Sequence, residues 1–458
     1  MKKTKQMLIS ATAGMALLAL AACSGGGGGG GASTDFSKTY KGTVSVWGFE
    51  NADEVGTSRL DVAEKVVGDS ATKVQLDASA FDAQKFTTLA ASGNVPDVVQ
   101  MDRQFVATYA AQGLVMPLDQ CFSLYGLDPD TYWYPQVVDD VTYGGAVYGV
   151  PQFYQPPAIL LNTRVMDAAG VTADDLDTSN QDAFLAAVTK MTKMNGANPT
   201  QMGFDPQGVG KAGLWMLSFG GKTIDADGKP ALDDPNNAKA IDFLKKIYDA
   251  QGGYANAKSF VDSFDVFGDN NSWVADQVGA AVFDQWYVNV LTPYADQIEI
   301  GATPLNTQDG KPFTVASGTS FVIPTAAKNP SAACAYTLAL TSPEAWDAAG
   351  SARNDTTVAD ASRHGINAGL FTGSPDADQK LRDAYVKTTD YPGFDQAIGV
   401  YYDVAASGQS FGSSPAGQQI QTELQNAVTS ALLGEKSSAD ALKDAQAAAM
   451  RAYDQVAG

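Results

Sequence analysis

Residues 147–171 read VYGVPQFYQPPAILLNTRVMDAAGV. Tyr148-Gly149-Val150-Pro151 leads through an aromatic loop, Phe153-Tyr154-Gln155, into Ala158-Ile159-Leu160-Leu161, an apolar run that reads as a buried strand. Upstream, Thr43 to Trp47 alternates apolar and polar residues as a half-buried strand does. A helical stretch follows from about Asp53 to Val67, then a strand over Lys73–Leu76, a helix over Phe81–Ala91 and a strand from Pro96 that ends at Asp102. Strand and helix in alternation imply an α/β fold, mostly parallel sheets flanked by helices.

Downstream the helices carry clear punctuation. Asp234-Pro235 supplies an N-cap and a first-turn proline to the apolar series Ala238, Ile241, Leu244, Ile247 and Tyr248, and Gly252-Gly253 ends it. Asn329-Pro330 and Ser342-Pro343-Glu344 open two more helices, and Ile420, Leu424, Val428 and Leu432 recur every four residues in another. The segment DADGKPALDDPN (225–236) begins like a calcium loop, but Lys229 occupies the third ligand position and Asn236 the closing one. Asp-Gly in a hairpin turn is the simpler reading, and no metal is expected.

The N-terminus carries Lys2, Lys3 and Lys5, then an apolar stretch. The run Met7–Ala22 is 16 residues long and includes Ser10 and Thr12, short of the roughly 20 apolar residues that span a bilayer. Basic residues, a short apolar core and small residues before a cut describe a secretory signal over 1–22. Leu20-Ala21-Ala22-Cys23 resembles the lipobox of bacterial lipoproteins, which implies a diacylglycerol on the Cys23 thiol. Two acyl chains suffice for stable anchoring without a spanning helix. Gly25 to Gly31 then serve within a flexible tether over 23–39, because seven glycines have no side chain to pack.

Loss of the leader's three lysines takes the formal charge from −21 to −24. Such a chain lacks the basic patch that nucleic acid or anionic lipid requires. About 420 residues remain after leader and tether, which exceeds one hydrophobic core and predicts two domains. Beyond Cys23 only Cys121 and Cys334 remain; an oxidising exterior permits their pairing, and two isolated buried thiols are the alternative. With one histidine, His364, a zinc site or a histidine-dependent hydrolase starts at a disadvantage.

Several segments in chain order resemble the extracellular solute-binding proteins of bacterial ABC importers, in particular the sugar-binding group that includes maltose-binding protein. PDVVQMDRQFVATYAAQGLVMPLD (96–119) is similar to that group's strand, loop and helix with an aspartate and arginine at the lobe interface. The opening stretch resembles its crossing segment, and FGGKTIDADGKPALDDPNNAKAIDFLKKIY its second-lobe hairpin and helix. GAAVFDQWYVNVL is similar to a strand and loop that carries a tryptophan, and SGTSFVIPTAAKNPSAACAYTLALTSPEAW to the return through the hinge. The resemblance implies a two-lobed, class II binding-protein fold with a hinged cleft. The first lobe would comprise 40–153 and 317–365, the second 154–316 and 366–458, with crossings near Phe153, Ser317 and His364.

A sugar presents apolar C–H faces and a rim of hydroxyls, so its site needs flat rings beside planar polar groups. Open α/β sheets bind ligands at the carboxyl ends of their strands. The candidates there are Trp47, Phe49 and Glu50, then Asp102 and Arg103, then Phe153, Tyr154 and Gln155, then Trp215, Trp286 and Tyr287, with Ser317 and Gly318 at the hinge return. The resemblance implies that Asp102 accepts from sugar hydroxyls and that Arg103 donates or orients it; the alternative for Asp102 is a helix N-cap. At Gln155 the maltose binders have a carboxylate, which leaves the particular sugar open. Tyr132-Trp133-Tyr134 is expected to pack on its own lobe.

These features predict a lipid-anchored, non-catalytic, monomeric receptor of an ABC importer, on the outer cell face or in the periplasm. It would capture a carbohydrate, in the first instance an oligosaccharide, and deliver it to permease subunits on separate chains, with no cofactor. The same fold binding a polyamine or other small solute is the alternative. An exported glycoside hydrolase would need two carboxylates singled out by spacing, and none are.

Overall fold

Following the chain, β1 (Gly42–Trp47), β2 (Thr72–Asp77), β3 (Val98–Asp102) and β4 (Val150–Tyr154) build a first lobe. The chain then crosses to a second lobe and lays down β5 (Pro157–Asn162), β6 (Lys193–Asn195), β7 (Asn198–Asp205), β8 (Val278–Asp284), β9 (Ile300–Thr303) and β10 (Pro312–Val315). It returns as β11 (Gly318–Val322), and a short β12 (Gly408–Gln409) later pairs with β10. This computed structural model describes residues 35–457. The leader, Cys23 and the glycine run lie outside the described residues.

The first sheet has the order β2-β1-β3-β11-β4 and the second β9-β5-β8-β7-β6. The two-lobed α/β architecture is the expected one. The sheets are mixed rather than mostly parallel. β1 runs parallel to β2 and β3, and β8 to β7, but β11 is antiparallel to both β3 and β4, and β5 to both β8 and β9. The strands at the crossings, β5 and β11, enter each sheet antiparallel from the hinge end, and β6 pairs antiparallel with β7 as a hairpin.

Local sequence sets the elements. The Asp53 carboxylate accepts from the Gly56 N–H and starts the helix Glu54–Gly68, whose Val55, Ala63 and Val67 face inward. Asp82 caps Ala83–Ser92 in the same way through the Lys85 N–H, and Gly93 closes that helix in the left-handed region. All six residues of β5 are buried, as its unbroken apolar run requires. Asp225 accepts from the N–H groups of Asp227 and Lys229, so the acidic loop is a turn. The second lobe's core centres on the rings of Phe184, Phe204, Trp215 and Phe243.

Helices Pro330–Leu340 and Pro343–Ala359 pack on Glu54–Gly68 in the first lobe. A disulfide joins Cys121 to Cys334 with Cα atoms 5.9 Å apart, tying helix Asp119–Tyr125 to Pro330–Leu340. The chain crosses between lobes after Tyr154 and again before Gly318. Near His364 the Ala361–Arg363 turn lies against Thr292–Tyr294, and His364 Nδ1 is 3.0 Å from Tyr391 Oη.

The C-terminal portion departs from the expected division at residue 366. The Tyr154 N–H donates to the Phe371 carbonyl at 2.9 Å and the Tyr134 N–H to that of Gly373 at 2.8 Å. Helix Pro375–Tyr385 packs on Pro343–Ala359, with Leu381 buried beside Trp346 and Val55. Residues 371–385 therefore belong with the first lobe. The chain regains the second at helix Pro392–Ala405, which packs on β9 and β5.

Candidate functional site

The carboxyl ends of β3, β7 and β8 deliver short polar loops to the space between the lobes. Two chambers lie there. One, of about 230 Å3, is lined by Asp102, Gln104 and Asp140 from the first lobe and by Lys211 and Asp284 from the second, with Ser317 and Gly318 at its back. The other, of about 260 Å3, is lined by Asn51, Phe153 and Arg353 on one side and by Gln285, Trp286 and Asn289 on the other. Gln155, at the hinge, borders both. Its own N–H donates to the Ser317 carbonyl at 2.9 Å, which fixes one crossing segment to the other.

Asp102 is exposed to the cleft and makes no capping bond to the turn that follows, so the N-cap alternative is not realised. Surrounding protein raises its pKa by desolvation, Arg103 and a bond from Gln104 oppose this, and Glu50 adds a like charge. Across the chamber Lys211 Nζ holds Asp284 Oδ1 at 2.7 Å. In the second chamber Arg353 bonds Glu54 and, at 3.2 Å, Asp53. Burial pushes the Glu54 carboxyl up, but Arg353 pulls it further the other way, to a net lowering.

Arg103 is 1% exposed and spends its donors on protein. Nη1 donates to the carbonyls of Phe153 at 2.9 Å and Thr319 at 3.3 Å, Nη2 to Ala316 at 2.6 Å, and Nε lies 3.5 Å from Asp140 Oδ2. Those carbonyls lie on the two crossing segments, so Arg103 ties the hinge together instead of donating to a ligand. A Cβ at Gly318 would fall 2.0 Å from the Phe153 oxygen and 2.4 Å from Arg103 Nη1, so only glycine fits there. Asp140 completes the cluster: burial drives its pKa up to about 6, against Arg103 and a bond from Ser410 Oγ.

Of the predicted aromatic platforms, only two reach the cleft. Trp286 is half-buried at the start of helix Trp286–Leu291, with Phe267 stacked at 6.0 Å between centroids and 19° between planes. Phe153 lines the second chamber against Trp346. Trp47, Tyr154, Trp215 and Tyr287 are wholly buried and Phe49 is 1% exposed, so all five are corrected from ligand contacts to core residues. Trp47 donates to Ser79 Oγ, Tyr154 to the Ala405 carbonyl, Trp215 to that of Pro206 and Tyr287 to that of Val266. Each indole or phenol thus finds its partner inside. Trp133 is buried as well, as expected of its segment. Glu50 is exposed and acts on Asp102 through its charge alone.

Gln104, Asp140, Lys211, Asp284, Gln285, Asn289, Arg353 and Gln421 were not singled out in the sequence. Asp284 and Gln285 directly precede Trp286 at a strand end and could have been found there. Gln421, from helix Gly417–Leu432, carries no such signal. Among the described residues no group of three or more His, Cys, Asp or Glu is placed to hold a metal ion, and no helix is long and apolar enough to cross a membrane.

The profile of the family described as bacterial extracellular solute-binding protein matches residues 63–366. Among solved structures the chain is similar to CpMnBP1 with mannotriose bound, at 22% identity and TM-score 0.71, over 89% of this chain and 99% of that one. It is similar to the ABC substrate-binding protein Lmo0181 from Listeria monocytogenes in complex with cycloalternan, at 16% identity and TM-score 0.68, over 90% and 98%. It is also similar to the maltose/maltodextrin-binding domain MalE from Bdellovibrio bacteriovorus bound to maltotriose, at 15% identity and TM-score 0.64, over 91% and 100%. At these identities the likeness is one of fold. No curated protein sequence matches the chain.

Proposed function

This chain belongs to the bacterial extracellular solute-binding proteins, and on that premise we propose that it is the receptor of an ABC importer that captures a carbohydrate, an oligosaccharide, between its lobes. The observation that carries the reading is the pair of polar chambers meeting at Gln155, each lined from both lobes, with Trp286 on the wall of the second. Planar amides, a carboxylate and the half-buried Trp286 ring suit hydroxyl rims and C–H faces. Because a ligand there touches both lobes, it favours the form in which they are closed upon it and shifts the hinge equilibrium.

The way the chamber's acids are used supports binding without bond cleavage. Asp140 is engaged by Arg103 and Ser410, and Asp284 by Lys211. That leaves Asp102 as the acid turned to the ligand, whereas glycoside hydrolysis needs a working pair. The leader and the Cys23 lipobox support a lipid anchor on the outer face of the cell membrane, with the permease and ATPase on separate chains and the receptor acting as a monomer. Thermal-shift measurements over mono- and oligosaccharides, with spermidine and dipeptides as controls, test the reading. A sugar that raises the melting temperature, with calorimetric affinity about fivefold or more weaker in Trp286→Ala, supports it. Stabilisation by spermidine or a dipeptide and by no sugar overturns it.

A further inference from the structure

A third cavity opens off the cleft into the second lobe. Its volume is about 530 Å3, larger than either polar chamber. Gly210 borders both this cavity and the chamber at Asp102, and Trp286 borders both it and the chamber at Asn289, so the cavity adjoins both chambers. The loop after β7 creates the opening. Gln207 and Gly208 both have positive φ, 52° and 51°, and a Cβ at Gly208 would stand 2.7 Å from Tyr248 Oη, so the turn lies tight on that ring. A Cβ at Gly210, where the cavity adjoins the chamber at Asp102, would meet only open space.

The lining differs in kind from that of the chambers. Rings of Tyr248, Tyr254, Phe264, Phe283 and Trp286 form the walls, with valines between them. Three charged residues line it. Lys258 and Asp262 are more than half exposed and paired to each other at 2.6 Å. Asp205 is 6% exposed, and of its carboxylate Oδ1 accepts from the Gln207 N–H at 2.8 Å. Burial raises its pKa to about 6. A sugar ring placed here would leave most of its hydroxyls without partners, whereas an apolar ring would bury without that cost.

We propose that this cavity receives the apolar substituent of a glycoside, an aromatic ring bearing at most one hydroxyl that donates to Asp205, while the sugar occupies the polar chambers. The inference rests on the carbohydrate reading above and names its substrate class: aryl glycosides. Trp286, common to the cavity and a chamber, packs where sugar and ring join.

Calorimetry on the protein with matched methyl and 4-hydroxyphenyl glycosides of glucose, mannose, galactose and cellobiose tests it. Burying one phenyl ring against these walls predicts about tenfold tighter binding of the aryl member of whichever pair binds. Val209→Phe, which narrows the cavity without touching either polar chamber, is expected to abolish that advantage and leave methyl glycoside affinity within about twofold. Phe264→Ala, which removes a wall, is expected to reduce the advantage as well, and its thermal melt verifies folding. Equal affinity of methyl and aryl glycosides in the unaltered protein overturns the inference and leaves the carbohydrate reading standing. No binding of any of these glycosides overturns the inference; the carbohydrate reading falls with it only if no sugar of the thermal-shift screen binds either.

Discussion

Replacing Arg103 with methionine is expected to cost the chain about 4 kcal/mol of stability or more. The guanidinium is buried, faces Asp140 at 3.5 Å and serves three carbonyls at 2.6 to 3.3 Å. Removing one member of a buried ion pair costs about 3–5 kcal/mol, because the other stays behind as an uncompensated charge. Asp140 would keep only Ser410, and its carboxyl would move further up from about 6. The carbonyls of Phe153, Ala316 and Thr319 would lose their donor as well, at roughly 1 kcal/mol or more for each that water cannot reach. These losses overlap, so about 4 kcal/mol is the expected scale, a large share of the roughly 5–15 kcal/mol that holds a typical domain folded. Urea unfolding of R103M and of R103M/D140N measures it. The double variant is expected to recover about 1–2 kcal/mol, since asparagine leaves no buried charge. R103M within about 1 kcal/mol of the unaltered protein, or strictly additive effects in the double variant, would refute the hinge-clamp argument.

Other outcomes follow from the same structure. Trp286→Ala is expected to weaken sugar binding by about 1 kcal/mol or more while barely moving the melting temperature. Trp215→Ala is expected to do the reverse, destabilising by about 3–5 kcal/mol with unchanged affinity at temperatures where it is folded; calorimetry and thermal melts on both separate the roles. Removing the Cys121–Cys334 bond as C121A/C334A is expected to cost about 3–5 kcal/mol, because the crosslink closes a loop of 213 residues in the unfolded chain, and chemical denaturation reads the loss. Asp140 and Asp205 titrate near 6 and Asp378 near 7 because burial disfavours their charged forms. Between about pH 4 and 7 the folded chain therefore holds protons that the unfolded chain has released, and stability falls as pH rises through that window. Urea midpoints are expected to correspond to on the order of 1 kcal/mol more stability per group at pH 5 than at pH 8, with Asp378→Asn flattening the slope; a rise toward pH 8 contradicts it.

Much of the architecture could be read locally. The unbroken run Ala158–Leu161 becomes a strand buried on all sides, and Asp53 and Asp82 start helices through cap bonds that reach only three residues ahead. Asp102 and Trp286 reach the cleft because Asp102 ends one strand and Trp286 stands two residues past the end of another. The same logic misplaced Trp47. Alternation with Val44 and Val46 suggests that its ring leaves the core, but helices cover both faces of the sheet, and Trp47 packs with Phe81 on the far side. Arg103 reads as a ligand donor because its true partners stand 50, 213 and 216 residues away along the chain. The Lys211–Asp284 pair spans 73 residues, and the return of Pro375–Tyr385 to the first lobe depends on Leu381 meeting Trp346. Such long-range choices are made by packing, and no local pattern announces them.

Small-angle X-ray scattering of the protein, with and without the saturating oligosaccharide found by thermal shift, tests the central claim most directly. A ligand gripped by Asp102 and Gln104 on one lobe and by Lys211 and Trp286 on the other draws the lobes together, so the radius of gyration is predicted to fall on binding. An unchanged radius, with saturation confirmed by calorimetry on the same sample, would contradict capture by lobe closure.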